Sequence, residues 1–372
     1  MKTRRLFLLF HGRFPSEKAA ARFVMESARA YAVYLPVVIV VPWRRSRTHE
    51  PLPKDVVVRT MPNIDLFGVP VLGAIAFPLS YLLFTIFSFA YLLLTIHADD
   101  IVETNEVLPA LAAAIISRRV MYEMHDFPEH MRWLYGFMMH CVRFVLATNE
   151  WKAGEIKRRF GIPERKIIME RNGVDVAQFA PRDRAAARAE LNLPAKAKIV
   201  LYSGHLYGWK GVDTLAKAAT SVPDAVFYFI GGTEYDVARF KERFGTVPNI
   251  AIVGHRPHVE VPLWLSAADV LVLPNTAKEE ISARYTSPMK LFEYMASGTP
   301  VVASRIPSVQ EILPEDAGYL VEPDSPEALA AGVRRALAGT AQNKAHAARE
   351  EALHYSWDAR AERLLKQLWQ NR

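Results

Sequence analysis

The sequence predicts an α/β protein made of two Rossmann-like halves with parallel sheets. Three stretches carry that expectation. Arg5–Val41 reads as strand, loop, amphipathic helix and strand, the opening of a doubly wound sheet. The same order starts again at Lys198, with a glycine-bracketed loop at Gly204–Gly211 between strand and helix. Tyr285–Ser304, YTSPMKLFEYMASGTPVVAS, then sets a proline-headed helix before a short buried strand.

Taken in order, Arg4-Arg5 followed by Leu6–Phe10 mimics a signal peptide. The apolar run is short, however, and His11-Gly12-Arg13 follows, so a first buried strand is the better reading. Ala19–Tyr34 is an amphipathic helix with Ala21, Val24, Met25, Ala28 and Tyr31 inward, and Val37–Val41 is the second strand. Ligands gather at the carboxyl ends of such strands, so the loop His11–Ala20 should meet one. Leu66–Ile96 runs 31 residues without a charged side chain, long enough to span a bilayer. A single crossing would leave the strands before and after it on opposite sides of a membrane. One or two helices dipping into a single leaflet are preferred; the alternatives are a buried helix pair, or a span or hairpin. Asp100–Glu103 and Val120–Met124 are strands around an Ala-rich helix at Leu108–Ser117, and the second strand ends at His125-Asp126. Glu150–Phe160 is a helix, Lys166–Met169 a strand, and Asn172-Gly173 a tight turn. A first domain is expected over 1–180, joined by 356–372, with a linker over 180–197 and a second domain over 197–355.

In the second half Ile199–Ser203, Ala225–Ile230, Ile250–Val253 and Val270–Pro274 are strands, and Val261–Ala268 is a short helix. Met289–Ala296 is a helix with Leu291, Phe292, Met295 and Ala296 inward. Pro326–Gly339 and Asp358–Gln370 are the later helices.

Composition narrows the function. The chain has 372 residues, 51% of them hydrophobic, and a formal charge of +7; it is no disordered segment. A lone cysteine, Cys141, excludes an intramolecular disulfide and a cysteine-rich metal site. Basic residues fall in small clusters, Arg44-Arg45-Ser46-Arg47, Arg118-Arg119 and Lys157-Arg158-Arg159. Neither zinc-finger spacing nor an RNA-binding aromatic signature accompanies them, so anionic substrates or lipid are the expected partners and nucleic acid is not.

The candidate chemistry lies in the second half. The helix start at Ser287, Pro288 and Met289 offers free N–H groups and a positive dipole end to a diphosphate. Lys290 adds charge there, and Glu293 can accept hydrogen bonds from ribose hydroxyls. Gly204 to Gly211 forms a second phosphate loop with Lys210 as its cation. Gly231 and Gly232 end a neighbouring strand. No Asp-x-Asp pair stands at a strand end, so no metal is expected on the diphosphate.

SPMKLFEYMASGTPVVAS, Arg171-Asn172-Gly173-Val174-Asp175 and Ser203–Gly211 together resemble the retaining glycosyltransferases of family 4, glycosyl transferases group 1. The resemblance covers residues 100–370 well and 1–100 loosely. It implies the GT-B fold, whose two Rossmann-like domains face each other across a cleft, with the last helix crossing back onto the first domain. It also implies a hexose moved with retention from a nucleoside-diphosphate sugar to a glycan or lipid-linked acceptor, as in polysaccharide biosynthesis. The donor would lie on Gly204, His205, Lys210, Gly231, Gly232, Arg256, Ser287, Pro288, Met289, Lys290 and Glu293. His125, Lys210 and Glu293 would be the catalytic set, and Gly12, Arg13, Lys18 and Asp126 would serve the acceptor. Two departures stand out. His205 occupies the place of an arginine and cannot supply a guanidinium fork, and Tyr285 stands where relatives have the first of two glutamates. With the apolar stretch 66–96, the expected location is cytoplasmic, peripheral or monotopic at the inner face of the membrane. Other readings on the same fold are a sugar-nucleotide epimerase, a phosphorylase or a non-catalytic sugar-nucleotide-binding scaffold.

Overall fold

The computed structural model describes residues 4–16, 18–44, 52–64, 70–339 and 341–370. The chain divides into two compact units. One runs to Arg171 and resumes at Trp357; the other spans Asn172–Ser356.

The first unit begins β1 (Leu6–Leu9), α1 (Ala19–Ala32), β2 (Val37–Pro42), β3 (Val56–Met61) and α2 (Pro70–Thr95). It continues β4 (Ile101–Thr104), α3 (Val107–Ile116), β5 (Val120–Met124), α4 (Arg132–Cys141), β6 (Phe144–Ala147), α5 (Glu150–Phe160) and β7 (Ile167–Met169). The strands form one parallel sheet in the order β3-β2-β1-β4-β5-β6-β7. Covered on both faces, it needs apolar residues at nearly every position; β1, β2 and β6 are buried throughout. β3 was not foreseen: half its residues are exposed or nearly so, as suits an edge strand.

α2 is a single helix that runs through Pro78; residues 66–69 of the apolar stretch lie outside the described residues. Ala76–Thr95 is long and apolar enough to cross a membrane by length and composition. Yet Ala76, Ser80, Phe84, Ser88 and Leu92 are all buried. They recur every fourth residue, which is one face of a helix. The sheet holds the strands before α2 and those after it side by side, β1 directly against β4. α2 is thus a packed helix of this unit, and its other face carries exposed Phe77, Leu82, Ile86 and Leu94.

The second unit contains α6 (Arg184–Glu190), β8 (Lys198–Ser203), α7 (Val212–Ala219), β9 (Ala225–Ile230), α8 (Glu234–Phe244) and β10 (Ile250–Gly254). α9 (Val261–Ala267), β11 (Val270–Leu273), α10 (Met289–Ala296), β12 (Val301–Ser304), α11 (Pro307–Gln310), β13 (Tyr319–Val321), α12 (Pro326–Leu337) and α13 (Gln342–Leu353) complete it. Its parallel sheet has the order β10-β9-β8-β11-β12-β13. Alternation along β8 feeds two core layers: Ile199 and Leu201 join one, Val200 and Tyr202 the other. Residues 180–197, expected as a linker, belong to this unit. Leu191 and Leu193 pack against its core beside Phe179, and Arg188 Nη2 is 2.7 Å from the Asp269 carboxylate. The first unit accordingly ends at Arg171 rather than 180.

α14 (Trp357–Gln370) returns to the first unit, where Trp357 meets Phe23 of α1 edge-on at 5.2 Å. Buried Arg360 of α14 donates from Nη2 to Glu123 of β5 at 2.7 Å and from Nε to the Arg171 carbonyl at 3.1 Å. Tyr31 of α1 donates to Glu103 of β4 at 2.8 Å. Burial pushes the Glu123 carboxyl up, but the Arg360 guanidinium outweighs it and holds the group at about 2. Glu103, buried and next to ionised Glu123, is raised to about 8.

Candidate active site

In each sheet the strand order reverses direction between the first strand and the fourth, and the crevice at such a point is where ligands bind. In the second unit that point lies between β8 and β11, so the loops after Ser203 and Leu273 flank it. Gly204 stands there with φ 127°, and a Cβ on it would come within 2.2 Å of Lys290 Nζ. Only glycine admits the lysine head at this spot. Gly211 serves the same end of the sheet: at φ 71°, its Cβ would sit 1.9 Å from the Pro274 carbonyl oxygen.

Lys290 comes from the first turn of α10, which starts after Pro288. Its ammonium donates to the Tyr202 hydroxyl at 3.0 Å and lies 4.3 Å from that ring's centroid. The Tyr202 hydroxyl in turn donates to the His205 carbonyl at 2.6 Å. Burial brings Lys290 down to about 7, although Glu293 pulls the other way. Lys210 sits over the Trp209 ring, its Nζ 3.6 Å from the centroid. It is also held well below the usual lysine range, by burial and then by the Lys290 charge. Among the described residues, neither lysine has a carboxylate within ion-pair distance. Two desolvated cations close together at a helix start suit an anion.

Of the other predicted donor residues, Gly231 and Glu293 lie beside this pair. The N–H of Gly231 donates to the Gly254 carbonyl at 2.7 Å, and its Cα lies against Gly204, so the three loop ends are contiguous. Glu293 accepts from His258 Nε2 at 3.1 Å. Asn172 Nδ2 donates to the Ser287 carbonyl at 2.8 Å and pins the loop that leads into α10. The Ser287 hydroxyl is buried with no hydrogen-bond partner among the described residues, and the same holds for both polar atoms of Asn275 at the end of β11. His205 turns its ring flat onto Tyr207 at 4.8 Å. Arg256 is exposed and bonds the carbonyl of its own neighbour, His255. Tyr285 closes a wide helical turn, Ile281–Tyr285, rather than a plain loop.

In the first unit His125 and Asp126 follow β5, His125 half-buried and Asp126 exposed. His125 Nε2 is 3.7 Å from Glu123, and its ring meets Phe23 edge-on at 4.5 Å. From below, buried Lys152 donates to the carbonyls of Met124, at 3.1 Å, and His125, and to Thr148 Oγ1 at 2.8 Å. Arg13 and Lys18 are exposed after β1. Gly12 has a packing reason for being glycine, because the Phe10 ring fills the place of its Cβ.

Sequence reasoning missed Tyr202, Tyr294, His258 and Lys152. Tyr294 Oη accepts from the Ser203 N–H at 2.8 Å and so fixes the start of the Gly204–Gly211 loop. A tyrosine inside an apolar helix or strand, as at 202 and 294, signals a hydroxyl that must find a partner. Lys152 gives no such signal, because nothing in Glu150–Phe160 marks it as buried.

Residues 197–339 match the model of the glycosyl transferases group 1 family. Among curated relatives, D-inositol 3-phosphate glycosyltransferase of Segniliparus rotundus is 27% identical over 256 residues, 64% of this chain and 55% of that protein. The enzyme of that name from Streptomyces avermitilis is 29% identical over 262 residues, 63% of this chain and 54% of that protein. The chain thus spans about half the length of these relatives. Sucrose-phosphate synthase from Thermosynechococcus elongatus superposes with TM-score 0.81 at 20% identity, covering 99% of this chain and 100% of that one. HepE of Anabaena in complex with UDP gives 0.74 at 18%, covering 99% and 100%. Two parallel-sheet units, each with its switch-point crevice, and this family match identify the chain as a GT-B-fold protein that carries a glycosyl transferases group 1 domain.

Proposed function

We propose that the protein is a glycosyltransferase that moves a hexose from a nucleoside-diphosphate sugar, without a metal ion and with retention, to a glycan or lipid-linked glycan. The observation that carries the donor part is the pair Lys210 and Lys290, half-buried, desolvated and, among the described residues, without a carboxylate in ion-pair distance. Their charge meets the one that grows on the departing diphosphate, where preorganised electrostatics contributes most to the rate. Glu293, placed one helical turn on from Lys290, takes the ribose hydroxyls. Retention, the sugar contact of His125 and the acceptor roles of Gly12, Arg13, Lys18 and Asp126 rest on the family resemblance. The exposed apolar face of α2 supports work at a membrane surface, on the cytoplasmic side.

A thermal-shift panel of UDP, GDP, ADP and their sugar conjugates tests the donor part, since a ligand of the folded state raises its melting temperature. UDP comes first because HepE of Anabaena was solved with it. The expected result is a shift with one base, lost in Lys210→Ala and reduced in Glu293→Ala. A well-folded protein that responds to none of them would sink the proposal. Product analysis with donor alone and with acceptor separates transfer from epimerisation.

A further inference from the structure

The amino-terminal ends of β5, β6 and β7 form the edge of the first sheet opposite to the one that bears His125. A recess of ≈ 530 Å³ opens there, and its charged lining is Arg118, Arg143, Arg165 and Lys166. Its lining includes no carboxylate. The acidic residues nearby are engaged elsewhere: Glu164 with Lys157 at 2.9 Å and Asp99 with Arg119 at 3.2 Å. Lys166 donates to the His140 carbonyl at 2.7 Å at the end of α4, which fixes the floor. Its proton affinity is lowered by burial and by the neighbouring Arg143 and Arg165. Like charges have been brought together here at a cost in repulsion.

The surroundings point to the source of the anion. α2 packs on α3 and α3 on α4. As crossover helices they all run from the carboxyl edge of the sheet to the amino edge, and the ends of α3 and α4 line the recess through Ala114, Ser117 and Cys141. Those two helices carry Ile115, 76% exposed, and Phe137, 60% exposed. Ile115 stands just ahead of Arg118, and Phe137 one turn ahead of Cys141, which lines the recess. Apolar side chains beside a cation-lined hollow fit an interface of acyl chains and phosphate headgroups. We infer that the recess at the amino ends of β5–β7 binds the phosphate of an anionic membrane lipid while Ile115 and Phe137 enter the adjoining acyl layer. This inference rests on the membrane reading above and gives it a headgroup preference.

Cosedimentation of the full chain tests it, with vesicles of phosphatidylcholine alone against phosphatidylcholine doped with phosphatidylglycerol. The expected result is tighter binding to the anionic vesicles. Arg118→Gln/Arg143→Gln/Arg165→Gln should lose on the order of ten- to a hundredfold of that preference. Leu82→Ser/Ile86→Ser should weaken binding to both kinds. An unchanged nucleotide thermal shift in the arginine variant shows that its fold is intact. If that variant keeps the full anionic preference, the headgroup site is wrong while the membrane reading stands. Wild type that binds neither vesicle sinks both. Soluble glycerol phosphate provides the last arm: if it stabilises wild type but not the arginine variant, and vesicle binding ignores the substitutions, the recess serves a free phosphate and the lipid inference falls.

Discussion

Each unit buries charge, and the two do so in opposite ways. In the first, Glu123, Arg360, Glu103 and Tyr31 complete one another within the protein. In the second, the Lys290 charge lowers Lys210, and among the described residues neither lysine has a carboxylate within ion-pair distance. A closed network has its compensation built in and spends it on holding elements together. An open one leaves that compensation to a ligand. Buried charge alone does not locate a site; buried charge of one sign does.

The widest separation of the two cases should come from Arg360→Ala. It strands Glu123 in the core, and removing one partner of a buried pair costs about 3–5 kcal/mol. Urea unfolding should show that loss, and a change below about 1 kcal/mol would mean the network is not closed by Arg360. Lys290→Met should do the reverse. The unliganded protein should melt no lower than wild type, while the diphosphate-induced shift disappears and transfer falls by about 10²–10³. A large loss of unliganded stability would mark Lys290 as structural.

The two networks also differ in their response to pH. Lys290 is lowered to about 7, so between pH 7 and its unfolded value of 10.5 the unfolded chain binds the extra proton. Its contribution to stability therefore grows as pH rises through that window. Glu103 is raised to about 8 from 4.5, so here the folded state holds the extra proton, and stability falls as pH rises from 4.5 to 8. Glu103→Gln should flatten that fall in melting temperature. A variant whose pH profile overlays wild type would show that Glu103 is ionised already at neutral pH. The smallest effect belongs to Ser80→Ala on α2. The hydroxyl bonds Asn63 at 2.6 Å and His11 at 2.9 Å; His11 is held at about 4 by burial and by Arg44. Losing both links costs about 1–2 kcal/mol, read as a fall in melting temperature with nucleotide binding unchanged.

The sheets were legible because parallel strands covered on both faces are runs of apolar residues, and β1, β2 and β11 are such runs. The juxtaposition of the Gly204–Gly211 loop and the start of α10 was legible because glycine and lysine at a strand–helix junction have few other uses. β3 was hidden by its polar edge, Arg59 and Thr60. Residues 180–197 looked like a linker because Pro181 and Pro194 bracket three arginines, although Arg188 is buried on Asp269. The composition of α2 told of its length and greasiness but not of its two faces. With apolar residues all round, only the small side chains at 76, 80 and 88 mark the side that lies close to the sheet. Lys152 beneath His125 was illegible, since its partners are main-chain carbonyls that any sequence possesses.

The Arg360–Glu123 bond joins residues 237 positions apart. A ribosome releases the whole parallel sheet of the first unit, and then all of the second, before it makes Arg360. Domains ordinarily fold in the order of their synthesis. Here the unit made first must wait for the residues made last, because Glu123 lacks its guanidinium partner until then. The second unit, with its strands and helices continuous from Asn172 to Ser356, is ready to fold while the first is still open. Nascent chains stalled before Trp357 should therefore expose the earlier unit, not the later one, to proteases and chaperones.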